Sequence, residues 1–153
     1  IYKIFLDTNL CDKDNRELII NRIKDNFEQA IVSVNFYYQY IKSTKSFAAF
    51  LWTYGIFLNR DINDVNYATN ILKQAKEIYD KLDVIEVNYV KLCNELAKCY
   101  SDKYIKTNDK IYFDLCREAC NTILNSQGKY KLQNRDKDFD YKRFRTEFNN
   151  FMK

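Results

Sequence analysis

The side chains with the widest chemistry in this sequence are its five thiols, Cys11, Cys93, Cys99, Cys116 and Cys120. A thiol acts as a nucleophile or metal ligand only as the thiolate, and a histidine is its usual partner. The chain has no histidine, so neither a Cys-His nor a Ser-His pair can form, and no imidazole can hold a metal. There is no Cys-x-x-Cys, and an odd number of cysteines does not complete a disulfide framework. Cys116 and Cys120 share a helix face one turn apart, and Cys93 falls on the helix before them, so a disulfide between those helices is open, depending on register. The simpler reading is that each thiol fills a small buried position, as free cysteine commonly does, and this suits a reducing cytoplasm. The two glycines, Gly55 and Gly128, lie too far apart for a phosphate-cradling loop. No cofactor and no metal site is expected.

The elements that must position these residues are helices. Proline is absent and glycine is nearly so, and both are residues that helix interiors tolerate poorly. A chain of 153 residues, 46% hydrophobic and 30% charged, is long enough for one domain with its own core. Its longest apolar run, Phe47 to Leu58, contains Thr53 and falls short of the roughly 18 residues of a membrane span. The chain opens on Ile1 rather than Met, which suggests a processed or excised fragment and leaves a removed signal peptide open.

Residues 1 to 10 read equally as a short strand or a helix end. Asp14 with Glu17 resembles a capping box. Leu18, Ile19, Ile23, Phe27, Ala30, Ile31 and Val34 then trace a helical stripe that continues through Phe36, Tyr37, Tyr40 and Ile41. After a polar break, Phe47 to Leu58 is apolar on nearly every side, as a helix between neighbours is. Asn59 to Asp64 is a polar turn, with Asp61 and Asp64 both placed to cap the next helix. That helix carries Val65, Ala68, Leu72, Ala75, Ile78 and Tyr79 on one face. Val87 to Tyr100 and Ile111 to Leu124 make a third hairpin around a polar loop at Ser101 to Lys110. Gly128 is placed to end its second helix, a charged loop runs from Lys129 to Asp140, and a last amphipathic helix bears Tyr141, Phe144, Phe148, Phe151 and Met152. The expected fold is all-α: stacked antiparallel helical hairpins with a C-terminal capping helix, one domain over residues 1–153.

The hairpins repeat. Ala68, Leu72 and Ala75 have the same offsets as Ile23, Phe27 and Ala30 and as Tyr112, Cys116 and Ala119, spaced 45 and 44 residues apart. Leu51, Gly55 and Leu58 align with Cys93, Ala97 and Tyr100, 42 residues on. With small residues where two helices must approach, residues 46–125 resemble the tetratricopeptide family of helical repeats. The repeat is longer than that family's usual period of about 34 residues and lacks its terminal proline. The resemblance implies a module that binds a protein or peptide along a surface lined by the first helix of each hairpin. In that register Trp52, Ile56 and Asn59 of one hairpin, with Lys91, Asn94, Lys98 and Ser101 of the next, would meet the ligand. The aromatic would anchor it, the polar groups would hold its backbone and the lysines would attract acidic groups. Against this, Trp52 sits in an apolar run that suits core, and Asn94 and Lys98 suit an ordinary solvated face.

The formal charge of +4 is concentrated: residues 126–153 hold eight Lys or Arg against four Asp or Glu. Interruption by Asp136, Asp138, Asp140 and Glu147 makes this a poor nucleic-acid stripe. The aromatic side of the last helix reads as a cap over the preceding hairpin.

A second resemblance competes. Ile4 to Asn9, with Leu6-Asp7-Thr8-Asn9 at its centre, is similar to the first strand and first acidic residue of PIN-domain ribonucleases. It implies a metal-dependent attack of water on a phosphodiester, with Asp7 joined by Asp83 and Asp109 and with Glu28 as an early glutamate. Such a fold needs a parallel sheet, and no set of Val- and Ile-rich runs alternates with the helices. A non-catalytic binding module is therefore the expected function.

Overall fold

The computed structural model describes residues 13–83, 86–131 and 139–153. The N-terminal Leu-Asp-Thr-Asn stretch, with Asp7, and Cys11 lie outside the described residues. The described residues hold six α-helices: α1 Lys13–Tyr37, α2 Lys45–Phe57, α3 Val65–Leu82, α4 Val87–Thr107, α5 Lys110–Lys131 and α6 Tyr141–Met152. Among the described residues there is no strand, so the all-α expectation holds and the parallel sheet of the nuclease reading is not found there.

The chain divides into two compact units, residues 1–42 and 43–153. The first contains α1, followed by a 3₁₀ turn over Gln39–Ile41. The helix was expected to run on through Ile41. It stops at Tyr37 because Tyr38 adopts φ −129° and ψ 44°, outside the helical region. Asp14 lies inside the first turn of α1 rather than ahead of it.

The second unit is a run of helices in which each packs on the next, α2 on α3, α3 on α4 and α4 on α5. Thr44 starts α2 by accepting the Phe47 N–H at 3.2 Å, and Asp64 starts α3 by accepting the Tyr67 N–H at 3.0 Å. With glycine scarce, three helices end on Asn or Asp. Asn63, Asp83 and Asn108 take left-handed φ values of 62°, 51° and 54°, a conformation these short polar side chains tolerate better than other non-glycine residues.

The stripe expected on α3 is largely the core. Ala68, Leu72 and Ala75 are fully buried, and Tyr79 nearly so. Against them lies Gly55 of α2. A β-carbon built there would stand 2.5 Å from Leu72 Cγ and Cδ2 and 3.5 Å from the Ala68 carbonyl oxygen. The glycine therefore sets how closely α2 and α3 approach. Ala97 of α4 serves the next pair, its carbonyl accepting the Cys116 S–H at 3.3 Å.

Two boundaries differ from the sequence expectation. The segment Ser101–Thr107 is helix, not loop, so α4 and α5 are joined only by Asn108 and Asp109. Tyr104 secures this stretch, its ring 5.4 Å from Phe113 and 6.3 Å from Phe151. Nor does Gly128 end α5, which continues to Lys131. Beside it Ser126 is buried, donating to the Ile123 carbonyl at 2.6 Å and lying 3.3 Å from the Tyr141 hydroxyl.

The last helix caps the α4–α5 hairpin as expected. Its start meets the end of α5 at Ser126–Tyr141, and its end meets the beginning of α5 where Phe151 stacks on Phe113 at 5.2 Å. So α6 runs antiparallel to α5. Its other side carries exposed Lys142, Arg143, Arg145 and Glu147.

Gly55→Ala separates the two effects of glycine in a helix. Higher helix propensity would stabilise by about 1 kcal/mol, but overpacking against fully buried Leu72 costs about 1–3 kcal/mol. The expected outcome is a net loss of about 1 kcal/mol by urea denaturation. A gain in stability would show that α2 and α3 are not in close contact there.

Candidate functional site

The site is built on α2 and α4. Helix α4 is enclosed almost all round: Tyr89, Val90, Leu92, Cys93, Leu96, Ala97, Cys99 and Tyr100 are buried. Between Tyr89 and Ser101 what remains is a stripe one helical face wide, with Lys91, Asn94 and Ser101 half-buried and Lys98 exposed, and the last turn opens further at Asp102, Ile105, Lys106 and Thr107. On α2 the partly open residues are Ala49, Phe50, Trp52, Thr53 and Ile56, followed by Asn59 just beyond the helix. The sequence-predicted set is thus partly accessible throughout, and none of it is fully buried.

Two ion pairs bring these stripes together. Near their starts, Lys45 Nζ of α2 lies 3.4 Å from Glu86, the residue that precedes α4. Further along both helices, Arg60 Nη2 donates to Glu95 Oε1. Pairs that match start with start and later with later mean that α2 and α4 run in the same direction. The Arg60–Glu95 pair also sets Arg60, the residue after Asn59, beside Lys98, which reaches the same carboxylate oxygen.

Arg60 reaches Glu95 because α2 does not simply stop. Its last turn widens into a π-helix over Leu58–Ile62, closed by the Asp64 N–H donating to the Leu58 carbonyl at 2.9 Å. Such turns recur where a helix must redirect side chains. Glu95 has only 5% of its side chain exposed, whereas Arg60 keeps 47%. Lys98 Nζ lies 3.4 Å from the same Oε1 and is 51% exposed. The second oxygen, Oε2, is buried with no hydrogen-bond partner among the described residues, and so is the indole nitrogen Nε1 of Trp52. Each such group carries a desolvation cost of about 1–3 kcal/mol.

Sequence reasoning missed Arg60 and Glu95. A lone acid between the apolar pairs Leu92-Cys93 and Leu96-Ala97 was the available signal. Also missed was the contribution of α6: Phe139, Asp140, Arg143, Phe144 and Glu147 join Asn94 and Lys98 around a cleft of about 280 Å³. Asp140 there accepts the Arg143 N–H at 2.9 Å and Glu147 pairs with Arg143 Nε at 2.9 Å. A second cleft, of about 230 Å³, opens between α3 and α5. Two of its charged residues are spent on one another, since Lys76 and the Tyr89 hydroxyl both donate to Asp80 at 2.8 Å.

The thiols are built for packing. Cys93, Cys99, Cys116 and Cys120 are free and buried, and burial pushes Cys93 and Cys99 up to about 11. Cys120 is raised further by Cys116 beside it. Thiols held protonated in this way are poor nucleophiles. For the nuclease set, Asp83 lies at the left-handed end of α3, and Asp109 accepts the Ile111 N–H at 3.0 Å in the α4–α5 turn. Glu28 lies on α1, in the other compact unit. Among the described residues no three His, Cys, Asp or Glu side chains are grouped to hold a metal ion, and no helix is long and apolar enough to cross a membrane.

The Arg60–Glu95 pair has an asymmetric energetic signature. Arg60→Met strands a buried carboxylate, a loss of about 2–3 kcal/mol after partial compensation by Lys98. Glu95→Met strands only a half-exposed guanidinium that water can solvate, for about 1 kcal/mol or less. Urea denaturation of both variants checks this, and equal losses would show that Glu95 is not enclosed. Comparison with known proteins finds no family model, no curated protein and no solved structure that matches the chain.

Proposed function

We propose that the chain is a non-catalytic module that binds a protein or peptide along the face shared by α2 and α4. One observation carries this reading. Between Tyr89 and Ser101 helix α4 is buried except along the stripe of Lys91, Asn94, Lys98 and Ser101, and Glu95 holds Arg60, the residue after Asn59, beside Lys98 of that stripe. An enclosed central helix with one open polar stripe, next to a partly open tryptophan, combines an apolar anchor with fixed polar groups. Recognition surfaces commonly have that composition.

In this reading Trp52 and Ile56 receive an apolar side chain of the partner, and the amides of Asn59 and Asn94 hold its backbone. Lys91 and Lys98 favour acidic groups near it. The resemblance to tetratricopeptide repeats supports the same surface, since there too the first helix of each hairpin meets the ligand.

The full chain, immobilised and exposed to extract of its native cell, supplies the test once a captured protein is identified by mass spectrometry and purified. Asn94→Ala combined with Lys98→Ala should weaken that purified partner by about tenfold, equivalent to about 1.4 kcal/mol. Lys142→Ala, on the exposed side of α6, should leave it unchanged. Equal binding by both variants, or metal-dependent cleavage of RNA by the chain, would overturn the reading.

A further inference from the structure

We propose, resting on the binding face described above, that α6 is a displaceable occupant of a helix-binding groove formed by α4 and α5. The partner docks in that groove with an amphipathic helix of its own, its aromatics spaced like those of α6. What the groove accepts is visible in what fills it. Helix α6 lays Tyr141, Phe144, Phe148 and Phe151 toward the hairpin, as an amphipathic helix lies in an apolar groove. Its two ends are held differently. Tyr141 and Phe144 are buried, whereas Phe148, Phe151 and Met152 are half-buried. Phe151 stacks on Phe113 of α5 at 5.2 Å and meets Tyr104 of α4 edge-on at 6.3 Å, and both of those rings are half-buried too.

The seat is loose where it borders the binding face. A cleft of about 280 Å³ runs between α4 and α6, with Asn94 and Lys98 on one wall and Arg143, Phe144 and Glu147 on the other. Protein interiors close to the density of an organic crystal, so this part of the groove is unfilled by its present occupant. Asn94 and Lys98 belong to the open stripe of α4, and the groove is therefore continuous with the binding face.

The fastening of α6 is light as well. Among the described residues no ion pair joins it to the rest of the fold, whereas Arg60–Glu95 and Lys45–Glu86 tie down α2. Its polar bonds are largely its own: Asp140 accepts the Arg143 N–H at 2.9 Å, and Arg143 pairs with Glu147 at 2.9 Å. Phe139 packs on Tyr141 and Phe144, with ring centroids 4.9 and 5.7 Å apart, inside the same segment. Arg145 donates to Gln127 of α5 at 3.0 Å, but on the exposed surface, where water competes. Residues 132–140 connect α5 to α6, enough chain to span about 30 Å when extended. A partner helix that also fills the cleft toward Asn94 and Lys98 gains contacts that α6 does not make.

The probe is a labelled peptide of residues 139–153, titrated into the full chain and followed by anisotropy and backbone amide shifts. It should move the amides of Tyr104, Phe113 and Gln127, together with those of the chain's own α6. Phe151→Ala in the full chain loosens the occupant and raises the fraction of open groove, on which apparent affinity depends. It should tighten the peptide by about tenfold. Adding Phe113→Ala removes the ring on which the peptide's own phenylalanine stacks and should cancel that gain. Circular dichroism and the amides of α3 verify that both variants keep the core. Affinity unchanged in Phe151→Ala, a gain that survives Phe113→Ala, or equal binding of a scrambled peptide would overturn the proposal. Shifts confined to Asn94 and Lys98, with α6 unmoved, would overturn it too, since the peptide would then lie beside α6 rather than replace it. The partner captured by the full chain should also bind Phe151→Ala more tightly. Equal binding there refutes displacement while leaving the binding face itself standing. Because the peptide reads the groove without that partner, the two ideas fail separately.

Discussion

Enclosure of α4 is the constraint on which the second compact unit depends. Its Val90, Leu92, Cys93 and Cys99 are fully buried, and Leu96 almost so. A helix apolar round most of its circumference has to find neighbours on several sides. It finds α3 and α5 by packing, α2 through Arg60 and Lys45, and α6 through Tyr104. Between Tyr89 and Ser101 the neighbours leave uncovered one narrow stripe. Order in the core and openness at the surface therefore have one origin.

Close approach makes the enclosure possible. Gly55 lets α2 settle on Leu72, and Ala97 lets the backbone of α4 come within hydrogen-bonding distance of a thiol on α5. Cysteine suits these places because it is small, apolar and readily buried. Its reactivity is suppressed by the same burial, which raises Cys93 and Cys99 well above the usual thiol range. The chemistry that the sequence offers most conspicuously is thus consumed by packing, and the accessible chemistry belongs to charge and amide groups on α2 and α4.

Much of this was legible in the sequence, for identifiable reasons. The spacing of Ala68, Leu72 and Ala75 marks a buried helix face regardless of what covers it, and Asp64 marks its start. Aromatic residues on the last helix announce a cap. Longer-range effects were not legible. Ser101 to Thr107 is polar enough to read as loop, and it is helical because Tyr104 reaches rings on α5 and α6. Gly128 does not stop α5, whose nearby Ser126 meets Tyr141 from a later helix. In the candidate site, periodicity separates Lys91, Asn94 and Lys98 from the apolar side of α4. It does not reveal that Arg60, in what reads as a turn, reaches Glu95 35 residues away through a π-helical turn.

A binding face made in this way is rigid where it matters, because its polar groups are borne by a helix that cannot shift without opening the core. Amide hydrogen exchange on the free chain examines that rigidity directly. Amides from Leu92 to Tyr100 should exchange only through global unfolding, with the slowest rates in the second unit and well behind those of α6. Exchange of that segment as fast as the amides of α6 would mean that α4 is not enclosed, and the account of the face built on it would fail.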